Sequence, residues 1–495
     1  VTAFVILAAG PGTRMGRAGD ALHKALVPLD GRAIISHQID LAPADARIIV
    51  CTGYRAAQVK DYLELAHPDR EIAFAPVQGW DSPGGGPGHS LLAVRPLMMS
   101  GEDLIFTSCD TLWQADQLWD ITLSWAGVAP VPAGTAPERW CRIGSSGASA
   151  TAIYDKTAPS QPGDAYTGLA MIAAHDLPAF WAGIMDSGLL GQERQVTGGL
   201  QALIDRHALA VRRLVWTDIG DEAAYMQAVA AWSGYDWTKP DEVTYVLPAA
   251  GRVVKFRADQ DSLTRRVERQ ESIAGAVPKL ADTRPNMLAY EYVPGVTAYE
   301  AAEADMGLVP RLLDWAHRDL WHPVMVLNPS LACDRFYRVK TLGRVAMLQP
   351  GLRKIAEAAV SRIDWDELEL GCRPVTFHGD FNLGNVVVSP DGSFTGIDWR
   401  EDFAGETRWG DRRYDLAKLA AGMIVHWGQA RRGDFRPWRV RPQHLAALGE
   451  WLGGEIPHDV MVIAALSLLN CAPLHAPPLD EVLVARGAAL LEELA

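Results

Sequence analysis

Over residues 1 to about 125, short apolar runs alternate with helical-looking stretches: 4–9, 33–41, 47–51, 56–65 and 104–108 follow one another in β-α-β-α order. A helix that returns the chain to the same end of a sheet makes successive strands parallel, so this order predicts an α/β fold with a doubly wound, mainly parallel sheet and helices on both faces. The polar, Gly- and Pro-rich stretch 76–88 interrupts the pattern, and its length suits a lid or specificity loop.

One such sheet does not account for 495 residues, a length beyond what a single core organises, so at least two domains are expected. The pattern resets around 233–241, where Gly234 and Pro240 precede a strand-like 243–247 paired by sequence with 252–256. This divides the chain into domains 1–235 and 241–495. The second reads as α+β and two-lobed, with a small lobe of about 241–295 and a large helical lobe of about 296–495. The helical reading is broken by the strand-like 374–377 and by a hairpin, 386–388 with 394–397, turned by Pro390-Asp391-Gly392.

Composition narrows the class of partner. Lys and Arg total 46 against 60 Asp and Glu, a formal charge of −14, which argues against nucleic acid or an anionic membrane. Anionic substrates must then meet local basic groups. The opening apolar run is too short for a bilayer helix and lacks a basic flank, so no membrane insertion is expected. Six cysteines without a CxxC pair or metal-ligand spacing suit free thiols in a reducing cytoplasm and give no zinc site. Small-molecule substrates are the expected partners, and a homo-oligomer stays open.

The first chemical motif is Leu7-Ala8-Ala9-Gly10-Pro11-Gly12-Thr13-Arg14-Met15-Gly16, a buried strand entering a glycine-rich turn. Glycines let backbone N–H groups approach a polyphosphate, and Arg14 adds a fixed cationic fork. Neither GxGxxG nor GKS/T spacing is present. Together with His23-Lys24-Ala25-Leu26-Val27-Pro28-Leu29, the segment resembles the nucleotidyltransferases that activate sugar 1-phosphates and phosphocholine. That resemblance implies Leu7, Ala8, Ala9, Gly10, Gly12, Thr13 and Arg14 around a nucleoside triphosphate, and Lys24 on phosphate oxygens of either substrate.

Residues 105–111 form an apolar strand ending in a carboxylate, where a doubly wound sheet presents catalytic groups. Asp110 is therefore the expected Mg²⁺ ligand. The resemblance implies a second ligand near the domain's end, matched by Asp218, with Asp221 as the alternative or else a helix cap. Lys156 stands where family members carry a lysine that grips the acceptor phosphate, though an ordinary exposed lysine reads equally well. The implied reaction is attack of a phosphate oxygen on the α-phosphorus of an NTP, with Arg14, Lys24 and Lys156 positioning the charges. Residues 84–90 are expected to border the base or the acceptor.

The second motif is Phe377-His378-Gly379-Asp380-Phe381-Asn382-Leu383-Gly384-Asn385, followed by Asp398 in Gly396-Ile397-Asp398-Trp399. An Asp and an Asn five apart, with another Asp after a hairpin, supply what a kinase needs: a base at the acceptor hydroxyl and ligands for Mg²⁺. The stretch resembles the aminoglycoside and choline kinase family. That resemblance implies Asp380 at the hydroxyl, Asn385 and Asp398 on Mg²⁺, and His378 bracing the loop. It also implies Lys255 on ATP phosphates, Glu268 (or Glu271) as its ion-pair partner, and Glu291 and Tyr292 at the adenine hinge. Asp415, in a match to the family's YDLA helix start, is expected to cap that helix or brace the catalytic loop.

Trp399, Trp409 and Tyr414 could enclose a quaternary ammonium, while Arg400, Arg408, Arg412 and Arg413 make the same region basic. Read together, the two halves predict a bifunctional enzyme. An alcohol, choline-like by preference, would be phosphorylated with ATP and then receive CMP from CTP for surface polysaccharide or lipid decoration. A sugar or polyol kinase joined to an NDP-sugar pyrophosphorylase is the alternative. A regulatory protein with one inactive domain is a third, against which Asp110, Asp218, Lys255, Asp380, Asn385 and Asp398 all speak.

Overall fold

The computed structural model describes residues 2–114, 123–132, 135–156, 161–233, 241–430 and 432–495. Contacts divide the chain into two units, Val1–Ala258 and Asp259–Ala495. The expected linker lies almost entirely outside the described residues. The division itself falls later than 235–241, after a hairpin that the sequence assigns to the second domain.

Unit 1 is built on a nine-stranded sheet. Its first four strands in spatial order are β3 (Ile72–Pro76), β2 (Arg47–Thr52), β1 (Thr2–Ala8) and β4 (Asp103–Ser108), all parallel. β1 is buried along its whole length, as a central parallel strand covered on both faces must be. Ala3, Val5 and Leu7 share one core with Leu91 and Val94 of α3 (Pro87–Val94) and with Phe180 and Leu200 further along the chain. Phe4, between them, turns to the other face, with its ring 6.5 Å from Trp113. Each such buried side chain contributes roughly 1.5–3 kcal/mol. Beyond β4 the sheet becomes mixed, because Asp164–Ile172 runs antiparallel to β4.

The register of β1 on β4 sets Leu7 opposite Ser108. The two strands therefore end side by side, and the glycine-rich turn and Asp110 leave the sheet as neighbours. Helices α1 (Ile34–Leu41) and α2 (Ala56–Ala66) take the predicted positions.

Unit 1 also includes the antiparallel hairpin of β5 (Glu242–Leu247) and β6 (Arg252–Arg257). Tyr245 on β5 is fully buried, its ring 4.7 Å from Tyr62 of α2 and its hydroxyl donating to the Leu26 carbonyl at 2.6 Å. Val246 N–H donates to the Gly31 carbonyl at 2.8 Å. The hairpin thus buttresses the segment that carries Lys24, which explains why it groups with unit 1.

Unit 2 opens with α4 (Gln260–Ser272), capped by Asp259 accepting from Ser262 N–H. The predicted hairpin forms as β7 (Val386–Val388) and β8 (Phe394–Gly396), with Gly392 at φ 83° in its turn. The strand predicted at 374–377 shortens to Pro374–Val375, paired with Gly410–Asp411. The central helix α5 (Arg412–Ile424) is buried over every residue from Arg413 to Met423. A helix so enclosed must pair its charges. Arg413 meets Asp411 at 2.7 Å and Asp459 at 3.0 Å, and Asp415 and Lys418 turn to the catalytic loop described below.

Replacing Tyr245 tests the hairpin's place. Tyr245→Phe should cost about 1 kcal/mol by leaving the Leu26 carbonyl without its donor, and Tyr245→Ala about 3–5 kcal/mol. Both would be read from denaturant unfolding of the full chain.

Candidate active sites

In unit 1 the turn after β1 brings Gly12 to φ 65°, and a Cβ there would lie 2.8 Å from Lys24 Cδ. Glycine is needed because the lysine stem runs directly over it. Lys24 opens a short 3-10 turn capped by His23, whose Nδ1 accepts from Ala25 N–H at 3.1 Å. Burial, then the charge of Lys24, lowers His23 to about 3, so the ring is neutral and free to accept. The turn aims Lys24 Nζ at Asp110 Oδ2, 3.0 Å away. Burial alone would raise the Asp110 pKa, but Lys24, followed by Arg14, more than offsets it and holds the carboxyl below its usual range.

Asp218 completes the group. A Cβ placed on Gly220 would lie 3.1 Å from Asp218 Oδ1, 3.7 Å from Arg14 Nη2 and 3.8 Å from Asp110 Oδ2, so the three side chains converge on one point. Burial, then the charge of Asp110, raises Asp218 to about 6. Arg139, which the sequence reading passed over, lies 3.9 Å from Asp218 and also hydrogen-bonds Asp221. The other oxygen of Asp221 accepts from Ala224 N–H at 2.9 Å, so Asp221 acts as a helix cap.

In unit 2 the catalytic loop hangs from Asp415. Its Oδ2 accepts from His378 N–H at 2.8 Å and from Trp321 Nε1 at 3.0 Å, while Oδ1 accepts from Gly379 N–H at 2.7 Å. Even so, burial raises it to about 6. Of the two roles expected for Asp415 it takes the brace, because Asp411 caps α5 by accepting from Arg413 N–H. His378 is fully buried and lowered to about 4, mainly by burial, and its Nδ1 accepts from Asp380 N–H at 3.3 Å.

Both oxygens of Asp380 are engaged: Oδ1 lies 2.6 Å from Lys418 Nζ and Oδ2 accepts from Asn385 Nδ2 at 2.7 Å. Burial opposes ionisation here too, and Lys418 overrides it to keep Asp380 below the usual carboxylate range. Asp398 follows β8 at φ 58°, a left-handed conformation that costs a non-glycine residue of order 1 kcal/mol. Its Oδ1 is 2.9 Å from Arg266 Nη1.

The other expected residues lie outside the contacts just described. Lys156 is exposed after Ser149–Tyr154, beside Asp155 and Cys141, and no contact among the described residues joins it to Lys24 or Asp110. Glu268 and Glu271 are exposed on α4. The same helix turns Arg266 and Arg269 inward, so its residue at Asp398 is an arginine. Lys255 is buried on β6, with Nζ 3.9 Å from Glu242. Glu291 is exposed and its N–H donates to the Lys279 carbonyl; Tyr292 follows it, partly buried. Thr13 is exposed in the glycine-rich turn. The expected lid, 76–88, is tied down by paired backbone bonds from Gly84, Gly85 and Gly88 to 192–194, and Ser90 donates to the Gly86 carbonyl.

The donor sets suit Mg²⁺. In unit 1 two carboxylates face one another closely enough that one raises the other's pKa, and a divalent cation relieves that repulsion. In unit 2 Asn385 spends its amide donor on Asp380, and its amide oxygen, the atom a hard cation takes, enters none of the described hydrogen bonds. Asp218 gives a signed prediction. Its raised pKa makes the protonated form the one favoured by folding, so that contribution is full only below about pH 4 and is lost as pH rises through about 6. Without Mg²⁺, unit 1 should lose roughly 2 kcal/mol between pH 4 and 7. Asp218→Asn should flatten that slope in denaturant unfolding, and Mg²⁺ should restore wild-type stability at pH 7.

Comparison with known proteins finds one family match in each half of the chain. Residues 4–152 match the MobA-like NTP transferase domain, and residues 252–451 match the phosphotransferase enzyme family. The second match begins at β6, inside unit 1. Bifunctional protein GlmU of Burkholderia mallei (strain SAVP1) is 42% identical over 97 residues, and that of Burkholderia orbicola (strain AU 1054) is 41% identical. The match spans 19% of this chain and 19% of each relative's length. Among solved structures, a putative glucose-1-phosphate thymidylyltransferase from Bacillus anthracis is 17% identical, covers 48% of this chain and 98% of its own, and has a TM-score of 0.39. The inositol-1-phosphate CTP transferase from T. maritima is 15% identical, covers 46% and 95%, and has a TM-score of 0.38. With residues 4–152 matched by the one family and 252–451 by the other, the chain is a fusion of a MobA-like NTP transferase domain with a domain of the phosphotransferase enzyme family.

Proposed function

We propose that the chain makes a phosphomonoester in unit 2 and consumes it in unit 1. An alcohol is phosphorylated with ATP, and the product then receives a nucleoside monophosphate from an NTP with release of pyrophosphate. The observation that carries this reading is that each unit assembles its own carboxylate centre with a lysine at hydrogen-bond distance, Lys24 on Asp110 and Lys418 on Asp380. The functional boundary is placed at 235–241, supported by a phosphotransferase match that begins at residue 252.

In unit 2 Asp380 accepts the proton of the hydroxyl as its oxygen attacks the γ-phosphorus. Lys418 and Asn385 hold that carboxylate in one orientation. Asn385 and Asp398 would hold Mg²⁺, and Lys255 is assigned to ATP phosphates by resemblance, as are Glu291 and Tyr292 to the adenine. In unit 1 an oxygen of the phosphomonoester forms a bond to the α-phosphorus as the bond to pyrophosphate breaks. Arg14 and Lys24 meet the charge that passes to the leaving group, and Asp110 and Asp218 would hold Mg²⁺. Bound Mg²⁺ would neutralise phosphate charge at each centre. Arg139, rather than Lys156, is the further cation that the geometry sets beside Asp218. CTP is the nucleotide favoured by the resemblance of 23–29, and the six cysteines, all free, support a reducing cytoplasm.

A choline-like acceptor is the reading favoured by sequence, but a specific observation supports the sugar or polyol alternative. Trp399 is 1% exposed with its Nε1 donating to the Arg266 carbonyl, and Trp409 is buried with its Nε1 on Glu406. These rings are core rather than an open cage for a quaternary ammonium.

Asp380→Ala should cut ATP-dependent phosphorylation at least 100-fold while leaving pyrophosphate release from NTP and a supplied phosphomonoester within about twofold. Asp110→Ala should do the reverse. Following ADP and pyrophosphate separately, with each of four NTPs against amino alcohols, polyols and sugars, checks both. Loss of both activities in either variant would sink the two-centre reading.

A further inference from the structure

We propose that the alcohol phosphorylated in unit 2 is itself an anion, carrying a carboxylate or phosphate group that Lys340 and Arg400 hold beside Asp380. The proposal rests on the reading of Asp380 as the group that meets the acceptor hydroxyl.

Arg400, two residues after Asp398, packs against the catalytic loop. Its N–H donates to the His378 carbonyl at 2.9 Å, and Gly379, at φ 81°, leaves room for it, since a Cβ there would fall 2.6 Å from Arg400 Cβ. Its guanidinium carbon is 5.2 Å from the centre of the Phe336 ring. Lys340, at the start of the helix Lys340–Ala346, reaches the same ring, with Nζ 4.0 Å from its centre and 5.8 Å from that of Tyr414. With Lys418 on Asp380, three cations cluster at one side of the loop.

The nearby acids are committed elsewhere. Glu401 lies 3.6 Å from Arg266, Asp402 2.8 Å from Arg265, and Asp411 2.7 Å from Arg413. Among the described residues no carboxylate stands within ion-pair distance of Lys340 or Arg400. Lys340 is held well below the usual lysine range by burial and then by Arg400 and Lys418. An arriving anion would favour the protonated form of Lys340 and bring a counter-charge to both groups. A quaternary ammonium would find the ring faces already taken by cations and would be repelled by them.

The test is calorimetric titration of the full chain, loaded with Mg²⁺ and a non-hydrolysable ATP analogue. The probes are matched pairs, D-glycerate with glycerol and D-glucuronate with D-glucose, together with choline and inorganic phosphate. Anions should bind at least tenfold tighter than their neutral partners and choline. Lys340→Met, which keeps the length of the side chain, and Arg400→Gln should each weaken anion binding at least tenfold without changing affinity for the nucleotide analogue. Three results would overturn the proposal: choline or a neutral partner binding as tightly as the anion, no saturable anion binding with phosphate included, or variants that weaken the nucleotide analogue instead. The last would assign these cations to ATP phosphates. ADP release is followed separately. Anion binding of the expected pattern without ADP from any acceptor would remove the kinase reading and leave the anion site, whereas ADP formed with choline alone would do the opposite.

Discussion

A buried carboxylate stays ionised in a protein interior only if a counter-charge offsets the desolvation that drives it toward its protonated form. Both centres meet this condition in the same way. Lys24 Nζ stands 3.0 Å from Asp110, a pair mostly shielded from solvent, and Lys418 Nζ, itself buried, stands 2.6 Å from the partly exposed Asp380. Where no lysine stands at that distance, burial prevails and the carboxyls of Asp218 and Asp415 rise to about 6. For Asp218 the charge of Asp110 adds to that rise.

Each lysine is delivered by a device of its own unit. Lys24 rides on a turn capped by a neutral His23, passes over a glycine that leaves it space, and is backed by Tyr245 on the Leu26 carbonyl. Lys418 lies one turn beyond Asp415 on α5, so a single buried helix both suspends the catalytic loop by its amides and neutralises its aspartate. Such enclosed pairs are costly to break singly, because removing one partner strands the other charge.

Charge also separates the molecule's bulk from its sites. A chain of net charge −14 concentrates cations around its two carboxylate clusters: Arg14, Lys24 and Arg139 in unit 1, and Lys340, Arg400 and Lys418 in unit 2. The acids that flank Arg400 in sequence, Glu401 and Asp402, are turned to Arg266 and Arg265. A local charge of this kind persists at short range even where the net field has the opposite sign, since screening confines each group's influence to about 10 Å.

The sequence by itself determined what a short stretch of backbone can hold. The glycine-rich turn after a buried strand, the aspartate at the end of β4, the Asp–Asn spacing of the catalytic loop and the hairpin turned at Gly392 are all local, with their geometry written in neighbouring residues. Tertiary structure decided which distant charges complete each centre. Arg139 reaches Asp218 across 79 positions and Arg266 reaches Asp398 across 132, and nothing in the spacing of either residue announces it. Lys418 carried a faint signal, three residues after Asp415 and so on the same helical face. On α4 it is Arg266 and Arg269 that are buried, while Glu268 and Glu271 are exposed. Sequence periodicity marks which residues share a face, but only packing decides which face turns inward, because a buried charge is admitted where a partner from another element waits for it.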